Sequence, residues 1–205
     1  MACYSRPIRY ANHGVSLEAF LVSLGVVALA ELGDKTQLLA LVLAARFRAP
    51  LPVIAGILTA TLANHFAAGA VGTAVAAYLS PVILRWALAL SFFGTAVWML
   101  VTDSQPEGQS EVSRFGAFGT SLVSFFLAEI GDKTQIATLA LAANYRELLP
   151  VVCGTTLGML LANVPVVFVG GAAAARLPTR PLNRIAAAAF IVLGILTLAG
   201  HGGFT

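Results

Sequence analysis

Long apolar runs recur along almost the whole chain, and they restrict its possible folds more than any other feature. Six runs can be distinguished, at residues 17–45, 51–78, 82–102, 116–144, 149–175 and 182–200. Each exceeds the roughly 18 residues that indicate a membrane-spanning helix. Backbone groups in lipid must be hydrogen-bonded internally, and the runs lack the alternation of barrel strands, so we predict helices.

Charge is too scarce for a water-facing surface. Charged residues make up 10% of the chain, whereas a soluble domain carries about 25%. This composition excludes a soluble enzyme, a nucleic-acid binder and a disordered scaffold. The net charge of +3 comes from single Lys and Arg residues between apolar runs, as is typical of the ends of membrane spans. Cys3 and Cys153 belong to no metal-spacing motif and suggest no disulfide framework.

One clearly hydrophilic stretch, Asp103 to Arg114, separates two halves. We therefore predict an N-terminal tail (1–16), a three-helix repeat (17–102), a polar linker (103–115), a second three-helix repeat (116–200) and a C-terminal tail (201–205). The first thirty residues also resemble a secretory signal with an Ala28-Leu29-Ala30 cleavage site. A similar string recurs deep inside the chain, where no signal peptide can lie.

An internal repeat relates the two halves. The sequence Glu31-Leu32-Gly33-Asp34-Lys35-Thr36-Gln37 returns as Glu129-Ile130-Gly131-Asp132-Lys133-Thr134-Gln135, at an offset of 98 residues. After one inserted residue, Ala63-Asn64 returns as Ala162-Asn163. Three spans per half is an odd number, so the second half must enter the membrane from the opposite side.

This arithmetic predicts an all-α integral membrane protein with six transmembrane helices, arranged as two inverted three-helix repeats. That architecture is typical of transporters with a substrate site near the membrane midplane. Arginines number six on the linker side and four on the other, which predicts that the linker is inside and both termini are outside.

Each motif places a Glu, an Asp and a Lys inside an apolar run. Six such charges would cost roughly 18 kcal/mol in lipid, so they must face one another, water or a ligand. On one continuous helix, Glu31, Asp34 and Lys35 would share an arc of roughly 100°. A straight first span would measure about 43 Å against an apolar core of about 30 Å. We expect tilt, or a break near Gly33, to absorb the difference, and Gly131 offers the same freedom in the second half.

The two motifs carry a net charge of −2, which complements one divalent cation. Their oxygen donors suit Mg²⁺, Ca²⁺ or Mn²⁺, and neither motif contains a thiolate or an imidazole. When the metal leaves, mutually repelling carboxylates would take up protons as a coupled set, so that metal and protons compete for one site. The predicted metal ligands are Glu31, Asp34, Glu129, Asp132, Gln37, Gln135, Thr36 and Thr134. Supporting roles fall to Lys35, Lys133, Gly33, Gly131, Asn64 and Asn163.

Structural interpretations of these residues compete with the functional one. Glu31–Lys35 and Glu129–Lys133 have the i,i+4 spacing of ion pairs within a helix. That interpretation does not account for the aspartate of either motif, which has no lysine at the same spacing. The asparagines are equally compatible with hydrogen bonds between helices. His65 has no counterpart in the second half, which favours a packed or pore-lining residue.

Two E-x-G-D-K-T motifs about a hundred residues apart in a small six-span chain resemble the cation transporters of uncharacterised protein family 0016. That family includes the Golgi transmembrane protein 165 and bacterial manganese exporters. The resemblance covers about 17–200 and implies secondary transport of Mn²⁺ and/or Ca²⁺ in exchange for protons. It implies a cation-binding role for Glu31, Asp34, Lys35 and Thr36 with Glu129, Asp132, Lys133 and Thr134.

The resemblance further implies partners and a location. We expect a divalent metal ion, protons and membrane lipid as partners, and neither nucleic acid nor a cofactor. The sequence does not fix the oligomeric state, and a homo-oligomer is compatible with it. The compact chain, without the extended N-terminal region of eukaryotic members, suggests a bacterial plasma membrane and Mn²⁺ efflux. Mn²⁺ and Ca²⁺ accept the same oxygen ligands, so the residues themselves favour neither.

Three other functions compete with cation–proton exchange. An intramembrane aspartyl protease would use Asp34 and Asp132 as its dyad, but the glycine of a G-x-G-D motif is absent and the neighbouring lysines favour ionised carboxylates. We therefore predict no enzyme. A small-molecule exporter of the amino-acid type and a passive divalent-cation channel stay open as alternatives.

Overall fold

Every regular element in the described part of the chain is an α-helix, which confirms the predicted all-α class. A computed structural model describes residues 17–101, 115–169 and 179–199. The predicted tails and almost all of the predicted linker lie outside these ranges. The helices are α1 (Leu17–Glu31), α2 (Lys35–Phe47), α3 (Pro50–Tyr78), α4 (Pro81–Val101), α5 (Gly116–Glu129), α6 (Lys133–Tyr145), α7 (Leu148–Val169) and α8 (Thr179–Leu198).

The first and fourth apolar runs each fold as two helices with a break at the motif. The chain leaves α1 at Glu31 and enters α2 at Lys35, and the second motif separates α5 from α6 in the same way. Gly33 and Gly131 adopt φ values of 80° and 74° at the breaks, a left-handed conformation that glycine reaches without steric cost. The break expected near Gly33 is confirmed. The shared arc on one continuous helix is wrong, because no helix continues through the motif.

Two described helices are long and apolar enough to cross a membrane by length and composition, over Pro50–Tyr78 and Leu148–Phe168. They correspond to the second and fifth apolar runs. Three shorter apolar helical segments cover Val82–Val97, Gly116–Glu129 and Arg184–Leu198. The breaks account for the short helices of the first and fourth runs, and the count of six spans stays a prediction.

The broken helix of each repeat packs against the long helix of the other repeat. Gly56 of α3 lies against α5, where an added Cβ would meet the Phe118 carbonyl oxygen at 2.6 Å. Gly154 of α7 lies against α1 at the Phe20 carbonyl, which is the equivalent contact under the repeat. Small residues at such positions let two backbones approach closely. The repeats are therefore interlocked.

The half-helices also pair across the repeats, α1 with α6 and α2 with α5. Tyr145, the last residue of α6, is hydrogen-bonded to Glu18 in the first turn of α1. Helices α4 and α8 pack together at one flank, where the Phe92 and Phe190 ring centroids lie 6.3 Å apart. This arrangement brings both breaks to the middle of the bundle.

We predict that Gly56→Ala and Gly154→Ala each lower the apparent Tm in detergent by about 2–8 °C, because the new methyl group overpacks a backbone contact. Gly25 and Gly94 are helical glycines with nothing within 4 Å of an added Cβ. Gly25→Ala and Gly94→Ala are therefore matched controls that leave the Tm unchanged or raise it. Equal Tm values for all four variants would contradict the interlocked packing.

Candidate metal site

Four carboxylates of the two motifs meet between the breaks. Glu31 and Glu129 are fully buried, while Asp34 and Asp132 are 5% and 6% exposed. One oxygen from each of Glu31, Glu129 and Asp132 lies within 4.8 Å of the others. The helix breaks place all four carboxylates on residues that end or precede a helix, and three of them form this group.

The lysine of each motif pairs with the aspartate of the other. Lys133 Nζ lies 3.0 Å from Asp34 Oδ1, and Lys35 Nζ lies 3.6 Å from Asp132 Oδ1. The Lys133 side chain is 8% exposed and that of Lys35 is 40% exposed. The alternative of ion pairs within one helix is therefore wrong, because the break separates Glu31 from Lys35 and the described pairs cross between motifs.

A threonine holds one oxygen of each buried glutamate. Thr36 Oγ1 donates a hydrogen bond to Glu31 Oε2, and Thr134 Oγ1 donates to Glu129 Oε2 at 3.1 Å. Among the described residues, the other oxygen of each glutamate, Oε1, has no hydrogen-bond partner. A buried carboxylate oxygen without a partner is costly, and a metal ion or a proton would satisfy it. The chemistry of these atoms therefore fits a hard cation.

The two glutamines close the breaks. Gly33 N–H donates to Gln37 Oε1 at 2.9 Å, and Gly131 N–H donates to Gln135 Oε1 at 2.7 Å. Each amide oxygen thus satisfies a backbone donor that the interrupted helix leaves free. Gln37 Nε2 in addition donates to the Ala162 carbonyl of α7 at 2.9 Å. The metal-binding role assigned to both glutamines stays a prediction.

The remaining polar residues divide between helix contacts and the packed interior. Asn64 Nδ2 donates to the Phe126 carbonyl in the last turn of α5 at 3.1 Å, so it links two helices. Asn163 Nδ2 bonds the Met159 carbonyl of its own helix at 3.0 Å. His65 is fully buried, and neither ring nitrogen has a hydrogen-bond partner within the described ranges. The backbone carbonyls of Phe126 and Ala162 carried no sequence signal.

The charges of the cluster sum to −2, from four carboxylates and two ammonium groups. All the anionic donors are oxygens, which suit Mg²⁺, Ca²⁺ and Mn²⁺. One divalent cation would neutralise the cluster, and two protons would have the same effect. The site can therefore hold either kind of charge in the same place.

Fold and site together define the class of protein: an all-helical, largely apolar chain whose two broken helices surround a buried acidic cluster. A family model described as "Divalent cation/proton antiporter GDT1" matches residues 19–107 and 117–203. The chain belongs to this family of membrane cation transporters, and the predicted resemblance to cation transporters is confirmed.

Relatives agree with this assignment. The chain is 50% identical over 182 residues to a protein of Vibrio cholerae named "Putative manganese exporter", covering 88% of this chain and 90% of the relative. It is 27% identical over 214 residues to GDT1-like protein 3 of Oryza sativa, covering 88% and 76%. It is 26% identical over 223 residues to GDT1-like protein 5 of Arabidopsis thaliana, covering 90% and 97%. No solved structure matches the chain.

We predict that Lys133→Ala destabilises the metal-free protein by about 3 kcal/mol, because it removes one member of a buried ion pair. Lys35→Ala at the more exposed pair costs at most about 1 kcal/mol. Thermal unfolding in detergent, with the double variant Lys133→Ala/Asp34→Asn as a rescue, measures both effects. Equal losses for the two lysines would contradict the difference in burial.

Proposed function

We propose that the protein exchanges a divalent cation for protons across the membrane, with Mn²⁺ efflux as its physiological task. The observation that carries the proposal is the convergence of Glu31, Glu129 and Asp132 oxygens within 4.8 Å. Both motifs contribute to this cluster, and each buried glutamate offers an oxygen that no described residue binds. Asp34 completes the set of carboxylates.

In this proposal the lysines compensate the aspartates when the metal is absent. Entry of a divalent cation at the carboxylates brings two positive charges and weakens the need for the Lys35–Asp132 contact, which is the longer and more exposed of the two ion pairs. When the cation leaves, two protons restore the same total charge. Occupation by metal and occupation by protons therefore exclude each other, which couples the two flows.

The same proposal includes six membrane spans in two inverted repeats. The pairing of α1 with α6 and of α2 with α5 supports it, since each first half-helix lies beside a second half-helix of the other repeat. Exposed apolar side chains on α4, such as Trp86 at 57% and Leu90 at 65%, suit contact with lipid. The Vibrio cholerae relative named "Putative manganese exporter" supports Mn²⁺ and a bacterial plasma membrane.

We predict that Asp34→Asn and Asp132→Asn each abolish metal–proton exchange while the protein stays folded. Each substitution removes a carboxylate from the proposed cluster and changes its charge balance. The measurement uses purified protein in liposomes with an imposed pH gradient, and records Mn²⁺ and Ca²⁺ flux with an internal pH dye. Glu18→Gln, which neutralises a carboxylate of α1 away from the motifs, is the matched control and keeps full flux.

The outcomes of this experiment separate the candidate functions. Gradient-dependent metal flux with proton counterflow supports exchange, and the faster ion names the substrate. Metal flux without proton movement would indicate a channel and contradict the exchange. No metal flux from well-folded protein would favour the small-molecule exporter.

We further predict that metal binding releases protons and strengthens as pH rises. Protons and metal compete for the same carboxylates, so each proton displaced makes the apparent Kd about tenfold smaller per pH unit. Titration of Mn²⁺ in weakly buffered detergent solution with a pH indicator counts the released protons. An apparent Kd that is unchanged between pH 5 and pH 8 would oppose shared occupancy.

A further inference from the structure

The two motifs have the same residues at the E-x-G-D-K-T-Q positions, but their counterparts make different contacts with the long helices. Gln37 Nε2 donates to the Ala162 carbonyl. The equivalent contact would join Gln135 to Ala63, but within the described ranges no such hydrogen bond is formed, and Ala63 is exposed. An internal repeat should treat equivalent residues alike, so this difference reports on the conformation of the molecule.

The asparagines differ in the same sense. Asn64 on α3 donates to the Phe126 carbonyl of α5. Its counterpart Asn163 bonds its own helix at Met159, and not the Ala28 carbonyl of α1 that the repeat makes equivalent to Phe126. Asn163 is fully buried and its Oδ1 has no partner among the residues described. One cross-helix contact is therefore made, and the equivalent one is missing.

Both contacts that are made involve helices on one side of the site. The Gln37 bond holds α2 against α7, and the Asn64 bond holds α5 against α3. The half-helices α2 and α5 are neighbours. We call this the linker side, because the predicted polar linker (103–115) precedes α5. The missing contacts would hold α6 against α3 and α1 against α7. Helices α1 and α6 are neighbours on the opposite side of the site.

A groove follows the side where the contacts are missing. It has a volume of about 240 Å³ and lies between α3 and α6, lined by Ala67, Ala68, Val71, Gln135, Ile136 and Leu139. Ala67 is exposed, whereas its equivalent on α7, Val166, is only 7% exposed. Ala68 and its equivalent Val167 are both buried. The wall of the groove is therefore exposed at Ala67, whereas its counterpart on α7 is buried.

The lysine exposures agree with this arrangement. A helical side chain leans toward the N-terminus of its helix, so Lys35 at the start of α2 leans away from the linker side. Its 40% exposure therefore belongs to the open side. Lys133 at the start of α6 leans toward the linker side and is 8% exposed.

We propose that these four amide side chains are alternating latches, where a latch is a hydrogen bond from an amide side chain to a backbone carbonyl of a different helix. Gln37–Ala162 and Asn64–Phe126 close the linker side in the structure. Gln135–Ala63 and Asn163–Ala28 close the opposite side in the second conformation, when the first pair separates. The inference rests on the proposed exchange, which requires two conformations that expose the same carboxylates to opposite sides of the membrane in turn. The latches distinguish these two conformations.

Cysteine labelling tests the latches without any metal flux. The parent carries Cys3→Ser and Cys153→Ser, and the reporters are Ala67→Cys in the groove and Val166→Cys at its closed equivalent. Purified protein in nanodiscs, where both faces are in solution, is labelled with a negatively charged, water-soluble maleimide. We expect fast labelling at Ala67→Cys and slow labelling at Val166→Cys, since the slow rate follows the population of the second conformation.

The decisive comparison is between two identical substitutions. Gln37→Glu keeps an oxygen for Gly33 N–H but removes the Nε2 donor, and should raise labelling of Val166→Cys roughly threefold to tenfold, as for the loss of one hydrogen bond. Gln135→Glu adds the same charge and should lower that rate by a similar factor, because it removes a latch of the second conformation.

A neutral pair guards against effects of the added charge or of poor folding. Asn64→Ala should raise labelling of Val166→Cys, and Asn163→Ala should lower it. Equal shifts within either pair, no shift in both pairs, or an Ala67→Cys that the charged maleimide does not reach would overturn the latches. If the two variants of each pair shift the Val166→Cys labelling rate in opposite directions but the protein shows no metal–proton exchange, the latches are upheld and the proposed function is rejected. If the protein exchanges metal for protons but these shifts are absent, the proposed function is upheld and the latches are rejected.

Discussion

The cost of charge in apolar surroundings governs this molecule. Six charged groups lie inside apolar segments, and each must be compensated within a few ångströms. Neither motif does so by itself, since each has two carboxylates and one ammonium group. The Asp34–Lys133 and Asp132–Lys35 pairs therefore cross between repeats. The threonine hydroxyls lower the same cost, because each donates a hydrogen bond to one oxygen of a buried glutamate. What remains is a cluster with two excess negative charges, which no basic side chain in the described ranges is seen to neutralise.

Side-chain amides satisfy backbone groups at the helix breaks that expose this chemistry. An interrupted helix leaves backbone donors and acceptors that cannot stay unsatisfied away from water. Gln37 and Gln135 accept from the glycine N–H groups, and Asn64 binds a carbonyl in the last turn of α5. The amides thus bond the backbone, while one oxygen of each buried glutamate has no partner among the described residues.

Local sequence was sufficient for the helical class and for the position of the first helix break. Apolar runs predicted the all-α class, and Gly33 inside an overlong run predicted the break. Sequence spacing failed where partners lie far apart along the chain: it offered Glu31–Lys35 as a pair within one helix, whereas the ion pairs join residues of different repeats. It also could not separate Gln37 from Gln135, since their motifs match. Their different contacts depend on the conformation that the whole bundle adopts, which no local pattern encodes.

The interlocked repeats have a consequence for how the protein is made. The first motif leaves the ribosome 98 residues before the second, so Lys133 and the α7 surface that receives α1 do not yet exist. During that interval the nascent half resembles one subunit of an obligate dimer that waits for its partner on the same chain. The ion pairs between the repeats can therefore form only after the second motif is made. A chain truncated after the fourth helix would lack the partners for its three motif charges.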